Sequence, residues 1–431
     1  MTRKMKDSGI EWIGQIPEDW EVVRNKYMFL RKKELVGQKW NETQLLSLTT
    51  KGIINKDINN LEGKLPESFS TYQYIQKNDL VLCLFDLDMS AVFNGLSKYN
   101  GMISPAYKRY VLKTDGDIRY YNYLFDFAFY DRIYKNYSTT LRFTLDNQEF
   151  DRIPTIEPST EVQKRLSDFL DNKIEMIEKT KNIINKEIQT LEEYKKSVIT
   201  EAVTKGLDKN IEMKDSGIEW IGEIPKHWIK AKVKHACALI GSGTTPTSHN
   251  LEFYSEDGIN WIQSGDLYKT SIITTTEKRI SDTALKYYSV LKLYESPFLV
   301  MAMYGASVGN LSLSKINATT NQACCVMKPN KKTDLMFLYY WLVFVKDDLL
   351  NKAEGGSQPN ISQDKIKNEI MYFPTLCEQQ SISNYLDKKT AIIDEAITSK
   401  QKQLGILEEY KKSLIYEYVT GKKEVEDVGT I

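Results

Sequence analysis

Cysteine and histidine are scarce in this sequence: five and three in 431 residues. Cys83, Cys237, Cys324, Cys325 and Cys377 contain no C-x-x-C pair and are odd in number. That excludes a disulfide framework and points to reduced thiols in a cytoplasm. His235-Ala-Cys237 is half of a metal site at most, because no second pair stands at zinc spacing, and His227 and His249 have no evident partners. Surplus charge is missing too. Lysine plus arginine and aspartate plus glutamate number 58 each, so a polyanion must be met by local patches or with a partner's help. No apolar run approaches the roughly 20 residues that span a bilayer. The longest, Leu335 to Val345, reads as a buried helix, and Met1 to Lys6 has no apolar core of a signal peptide.

The motifs of common enzymes are absent as well. Gly63-Lys64 precedes Leu65 and Gly421-Lys422 precedes Lys423, so neither is a Walker A loop. No two prolines are adjacent, which removes the Asp/Asn-Pro-Pro-aromatic loop of amino-methyltransferases. Gly241-Ser-Gly243 lacks the third glycine of a dinucleotide loop. Glu193-Tyr-Lys195 and Glu409-Tyr-Lys411 have a nuclease-like spacing, but they fall in a charged helical pattern where such pairs are routine. Asp86 and Asp88 follow an apolar run and read as polar residues at a strand end. No catalytic residue, metal ligand or cofactor of the chain's own is expected.

What is present is a repeat, and it organises the whole chain. Met5 to Gly14, with Ile16-Pro17 and Trp20, returns as Met213 to Gly222, with Ile224-Pro225 and Trp228. Leu191-Glu-Glu-Tyr-Lys-Lys-Ser197 returns as Leu407 to Ser413. Between these blocks each half carries β-rich runs such as Leu80 to Phe85 and Pro297 to Ala302. An aromatic helix follows (around Tyr120 to Tyr130 and Phe337 to Phe344), then a short polar loop, then a proline, Pro154 or Pro374, before a long helix. A hydrophobic fraction of 41% and this length suit two or three folded units rather than disorder.

The long helices alternate spacings of three and four. Leu170, Ile174, Ile177, Ile184, Ile188, Leu191, Val198 and Ala202 form one seam, interrupted by Lys181 and Lys195. Adding 216 gives Leu386, Thr390, Ile393, Lys400, Leu404, Leu407, Leu414 and Tyr418 on the second, with Ile397 and Lys411 at the interrupted places. That is a coiled-coil seam, and about 40 residues at about 1.5 Å each give rods of roughly 60 Å. The alternative is a seam docked on its own globular domain. The expected fold is α+β: two similar mixed α/β domains separated by two long helices in an antiparallel coiled coil, with an approximate two-fold. The expected segments are 1–155, the helix region 156–210, 211–373, the helix region 374–420, and a tail, 421–431, expected to be disordered for its charge and lack of periodicity.

Twin lobes on a paired spacer have the shape needed to read two half-sites about one DNA turn apart. Base edges are read by Arg, Lys, Asn, Gln, Ser and Thr, so loops rich in these are the candidate contacts. In the first lobe they supply Lys98, Lys108, Arg109, Thr139, Thr140 and Arg142. In the second they supply Ser242, Thr244, Thr245, Ser264, Ser307, Gln358 and Asn360. The same residue types also build ordinary turns.

Taken together, the twice-used Asp-Ser-Gly-Ile-Glu-Trp-Ile-Gly, Gly241 to Pro246, Gly356 to Ser362, Pro374 to Gln379 and the two Leu-Glu-Glu-Tyr-Lys-Lys-Ser blocks resemble the specificity subunits of type I restriction–modification systems. The resemblance covers nearly the whole chain but is looser in the first lobe, which has no Gly-Thr-Thr-Pro. It implies two target-recognition domains on double-stranded DNA, each reading half of a bipartite site. It also implies long helices that set the spacer and dock two modification subunits. Those partners would use S-adenosylmethionine to methylate adenine, and separate restriction or motor subunits would use ATP and Mg²⁺. A standalone methyltransferase or nuclease, or a scaffold that reads no DNA, are the competing readings.

Overall fold

The computed structural model describes residues 3–58, 68–353 and 360–425. The chain forms two compact units, residues 1–185 together with 401–431, and residues 186–400. This differs from the contiguous segments read in the sequence, because each unit takes a portion of both long helices.

Each unit contains the repeated block, and local chemistry explains why the block folds as it does. In Asp7-Ser8-Gly9-Ile10 the Asp7 carboxylate accepts from the Gly9 N–H at 2.9 Å, and the Ser8 hydroxyl accepts from the Ile10 N–H at 3.1 Å. Asp215 and Ser216 do the same for Gly217 and Ile218 at 2.8 and 3.1 Å. Gly9 and Gly217 sit at φ +67° and +74°, a region open to glycine at no steric cost. These turns join short antiparallel strands, Met5–Asp7 with Gln15–Pro17 and Met213–Asp215 with Glu223–Pro225. They deliver Trp20 and Trp228, both fully buried, into the two cores.

One of the two four-stranded sheets of the first unit has the order Phe29–Lys32, Lys108–Leu112, Leu80–Leu82, Asn94–Leu96. The second unit repeats this as Cys237–Gly241, Cys324–Pro329, Phe298–Ala302 and Leu311–Ser314, adding Ile272–Ile273 at the edge. Each unit also has a second sheet containing a parallel pair, Leu45–Thr49 with Gly101–Ile103 and Tyr254–Ile262 with Ala318–Thr320. The aromatic helices are Ile118–Tyr130 and Leu335–Phe344; the latter is the long apolar run, buried as expected. No helix among the described residues is long and apolar enough to cross a membrane.

The long helices run Thr160–Lys205 and Leu376–Val419. Pro158 and Pro374 precede them, whereas Pro154 opens the strand Pro154–Glu157, a correction to the sequence reading. A buried glutamine ties each helix start to its lobe. Gln163 donates to the Pro158 carbonyl and accepts from the Asp117 N–H, the N-cap of the first aromatic helix. Gln379 bonds Pro374 and Asp334 in the same way.

Both seam readings hold, at different points along the helices. Leu166, Leu170 and Ile177 of the first helix and Leu414, Ile415 and Val419 of the second lie in the core of the first unit. Val198, Ile199, Ala202 and Val203, with Ile382 and Leu386, lie in the core of the second. Elsewhere the helices pair with each other. Ile184 and Ile393 are buried, and Ile188, Leu191, Ile397, Leu404 and Leu407 are half-buried. The lysines that interrupt the seam each meet a carboxylate of the other helix. In the first unit Lys181 meets Glu408, and Lys411 meets Glu178 at 2.8 Å. In the second, Lys195 meets Asp394 at 2.7 Å and Lys400 meets Glu187 at 2.7 Å. Numbers rise on one helix as they fall on the other, so the pairing is antiparallel. The tail expected to be disordered is partly placed. Gly421 lies over Pro17 and Trp20, Lys422 donates to the Ile13 carbonyl at 2.7 Å, and Val425 packs on the first core. Residues 426–431 lie outside the described residues.

One expected DNA contact is part of this framework instead. Arg109 is 3% exposed and pairs with the equally buried Asp79 at 2.6 Å. It also donates to the Tyr74 carbonyl at 2.9 Å and meets the exposed Glu34 at 3.3 Å. Its guanidinium is used inside the lobe. Asp79→Ala leaves that charge buried with only the exposed Glu34 as counter-ion. Unfolding by urea is expected to show a loss of about 3–5 kcal/mol, and the paired change Asp79→Leu with Arg109→Met a much smaller one.

Candidate nucleic-acid interface

In the second lobe, loops far apart in sequence are gathered by one short turn, Asn321-Gln322-Ala323. The Gly243 N–H reaches the Asn321 carbonyl at 3.4 Å, and the Thr245 hydroxyl donates to the Gln322 side chain at 2.6 Å. The Asn321 N–H bonds the Ile262 carbonyl, at the end of the strand that leads to Gln263 and Ser264. The Met303 N–H bonds the Ala323 carbonyl, and Ile361 bonds Met303. Tyr304 and Asn360 form an isolated antiparallel bridge. Gly241 to Pro246, Gln263 to Ser264, Tyr304 to Gly309 and Asn360 thus share one edge of the lobe.

Steric packing explains the glycine in the first of these loops. A Cβ on Gly243 would stand 1.8 Å from the Thr320 carbonyl oxygen. Only glycine lets the loop lie this close to the strand, so the side chains on either side project from a fixed backbone. Thr245 is exposed, Ser242 and Thr244 are half-buried, and the Ser242 carbonyl accepts from the buried Tyr294 hydroxyl at 3.2 Å. Ser264 sits half-buried in a turn closed by Asp266, whose carboxylate accepts from the Gln263 N–H at 2.8 Å. Asn360 is exposed. Ser307 is 7% exposed, a correction to the expectation of a direct base contact from its side chain. Gln358 lies outside the described residues.

Sequence reasoning missed Asn321 and Gln322, the residues that join these loops. Their signal was a polar run, Thr319-Thr320-Asn321-Gln322, between an alanine and the apolar strand that begins at Cys324. Burial pushes the Cys325 and Cys237 thiols up to about 12 and the Cys324 thiol higher still.

The first lobe is less unified. Lys108 lies opposite Leu82 on the central strand pair, whereas Lys98 lies beyond the other end of the same sheet. Lys98 is exposed and near enough to the first long helix to help hold the Glu175 carboxyl low, after the larger effect of Lys179. The loop Ser138 to Arg142 is joined to the sheet through Leu87 N–H to the Phe143 carbonyl at 3.2 Å and Leu145 N–H to the Leu84 carbonyl at 2.7 Å. Within it the hydroxyls are occupied. Thr139 donates to Glu149 at 2.6 Å, and Thr140 accepts from the Thr144 N–H at 2.8 Å. Thr139, Thr140, Leu141 and Arg142 are all exposed, the two threonines with their hydroxyls already bonded. The structure therefore brings the candidates of the second lobe together and leaves those of the first on separate edges.

Comparison with known proteins bears on this arrangement. The family model described as the type I restriction modification DNA specificity domain matches residues 225–404, which cover the second lobe and much of the second helix. The putative type I restriction enzyme MjaX specificity subunit of Methanocaldococcus jannaschii is 24% identical over 446 residues, covering 96% of each chain. The MjaVIII specificity subunit of the same organism is 24% identical, over 96% of this chain and 95% of that one. The EcoR124I/EcoR124II specificity subunit of Escherichia coli is 23% identical over about half of each chain. A chain from a structural study of complex assembly and conformational transition of the type I R-M system superposes with a TM-score of 0.70 at 14% identity, over 95% of this chain and 99% of that one. The HsdS subunit from Thermoanaerobacter tengcongensis gives 0.50 at 15% identity, over 95% and 98%. A duplicated frame, twin mixed lobes and paired long helices agree with relatives matched along nearly their full length: the chain is similar throughout to type I restriction–modification specificity subunits, and its residues 225–404 match the DNA specificity domain of that family.

Proposed function

We propose that this chain is the sequence-specific DNA-binding subunit of a type I restriction–modification complex, and that each lobe reads one half of a bipartite site. The observation that carries this reading is the gathered loop edge of the second lobe. Four polar segments from different strands, held on one hydrogen-bonded turn, present Thr, Gln and Asn side chains from a rigid backbone. Such groups hydrogen-bond base edges. The two lobes share a frame but differ in this edge, as two readers of different half-sites must. The chain's own role is non-catalytic. S-adenosylmethionine belongs to two modification subunits that methylate adenine, and ATP with Mg²⁺ to restriction or motor subunits.

The helix pair offers a docking surface for a modification subunit. In the first unit Met176 and Ile183 on one helix and Ile406 and Tyr410 on the other are apolar and more than half exposed. They stand off the seam, and Gly405 leaves open space beside them. In the second unit Tyr194 and Ile392, the repeat equivalents of Tyr410 and Met176, are exposed in the same way. Exposed apolar stripes on a rigid helix mark partner surfaces.

Three measurements test this reading. Residues 21–150 can be exchanged for the equivalent lobe of a relative and the methylated adenines of the host genome mapped. One half of the methylated motif should change while the other stays; a change in both halves would end the two-reader account. Ile406→Ser with Tyr410→Ser should weaken capture of the modification subunit at least about tenfold, leaving the melting temperature within about 2 °C because both side chains are exposed. Full capture would remove the stripe from the interface. Finally, seven residues inserted after Lys186, matched by seven after Lys400, keep the seam in phase and add about 10 Å. The spacer between half-sites should lengthen by about three base pairs at about 3.4 Å each. An unchanged spacer would show that the helices are not the ruler.

A further inference from the structure

We propose that Arg31, Lys33 and Lys108 of the first lobe form a clamp for the phosphates of a DNA backbone. The proposal rests on the reading of the chain as a DNA reader and assigns it a backbone-holding site.

The strand pairing brings the three together. Phe29–Lys32 runs antiparallel to Lys108–Leu112, with Arg31 opposite Tyr110 and Lys32 opposite Arg109. One further step in the same register sets Lys33 opposite Lys108. Side chains alternate across a strand, so Arg31, Lys33 and Lys108 share a face, with directly opposed Cβ atoms about 5 Å apart. That is the face on which Phe29, Tyr110 and Leu82 enter the core, and the three cations stand where it runs out towards solvent.

The cluster is not neutralised from within. Glu34, next to Lys33, and Asp79, next to the strand Leu80–Leu82, are both engaged by Arg109 on the opposite face of these strands. Asp151 acts electrostatically on the Tyr110 hydroxyl but forms no ion pair with Arg31. Among the described residues, none of the three cations has a carboxylate within 4 Å. The Arg31 Nε is sealed from solvent without a hydrogen-bond partner. Burial, and then the charges of Arg31 and Lys33, hold the Lys108 ammonium below the ordinary lysine range. Like charges opposed across strands destabilise a sheet unless an anion joins them.

The position in the frame identifies the anion. The 208-residue offset of the opening block continues through the strands, so Arg31 and Lys33 fall where the second lobe has Leu239 and Gly241. Gly241 begins the loop that joins the candidate interface of the second lobe. At that place the first lobe presents cations instead, Lys33 exposed and Arg31 and Lys108 half-buried at the margin of the core, which suits phosphate contacts that fix register without reading bases. A DNA reader with no net positive charge needs such local sites.

The test uses the complete complex with its modification subunits and two duplexes, one carrying the motif found by mapping methylated adenines and one with that motif scrambled. Binding is measured from 50 to 200 mM salt for the wild type, Lys33→Gln, Lys108→Gln, the double variant and Lys108→Arg. Each lysine removed should lower the slope of log K against log salt by about 0.9. Affinity should fall by the same factor on both duplexes, the methylated motif should be unchanged, and Lys108→Arg should keep the wild-type slope. An unchanged slope in the double variant overturns the clamp. A motif altered at one base pair would overturn it in favour of base reading. Loss of modification-subunit assembly without DNA would overturn it in favour of an acidic protein surface. A wild-type complex that binds both duplexes equally would instead defeat the reading of function beneath it.

Discussion

The structure depends on a sharing of helices between two cores. Leu414, Ile415 and Val419, from the end of the second repeat, close the hydrophobic core of the first unit, and the Tyr120 hydroxyl donates to the Val419 carbonyl at 2.7 Å. Val198, Ala202 and Val203, from the end of the first repeat, close the core of the second. Neither lobe is complete without the far end of the other repeat's helix. Burying such residues stabilises by roughly 1.5–3 kcal/mol per side chain, so the cost of leaving a helix end undocked falls on the lobe it serves. A helix docked at both ends cannot slide. The charged pairs along the seam then choose one register, because a one-turn slip would separate Lys181 from Glu408 and Lys195 from Asp394. Individually these half-exposed pairs contribute little to stability. Their contribution is to specificity of alignment, and it explains why lysine interrupts an otherwise apolar seam.

Repeats and periodicity made most of this legible. The Asp-Ser-Gly blocks, the three-and-four spacing and the apolar run of the second aromatic helix each encode a local structure, and local structure is what pattern carries. The mixed outcome for the seam has a simple cause. A helix that docks on a sheet at one end and on another helix along its middle presents the same 3.5-residue pattern throughout, so spacing does not tell the two environments apart. Pro154 and Pro158 show the same limit, since either punctuates the chain, and only the strand pairing of Pro154 with Arg24 decides between them. Polar composition picked out loops of the second lobe that the fold brings together, but the close approach at Gly243 that fixes one of them shows only in the packing. The candidate site was not legible where a charge turned inward. Tyr107-Lys108-Arg109 reads as a basic loop, yet strand alternation sends Lys108 to one face and Arg109 to the other, where Asp79 receives it.

That alternation also accounts for how a neutral protein can carry a local positive site. Composition averages over both faces of every strand. Here one strand pair divides its charge by face: Arg109 with Asp79 and Glu34 on one side, Arg31, Lys33 and Lys108 on the other. The buried pair removes the local carboxylates from competition, so the ion pair that stabilises the sheet also leaves the opposite face unneutralised. Removing Asp79 would weaken the fold and leave Arg109 with the exposed Glu34, while the cations of the other face would stay without a carboxylate. Fold stability and surface potential are separable on these strands because the pleat keeps their charges on opposite sides, and a sequence with zero net charge can in this way present a phosphate site without an excess of base elsewhere.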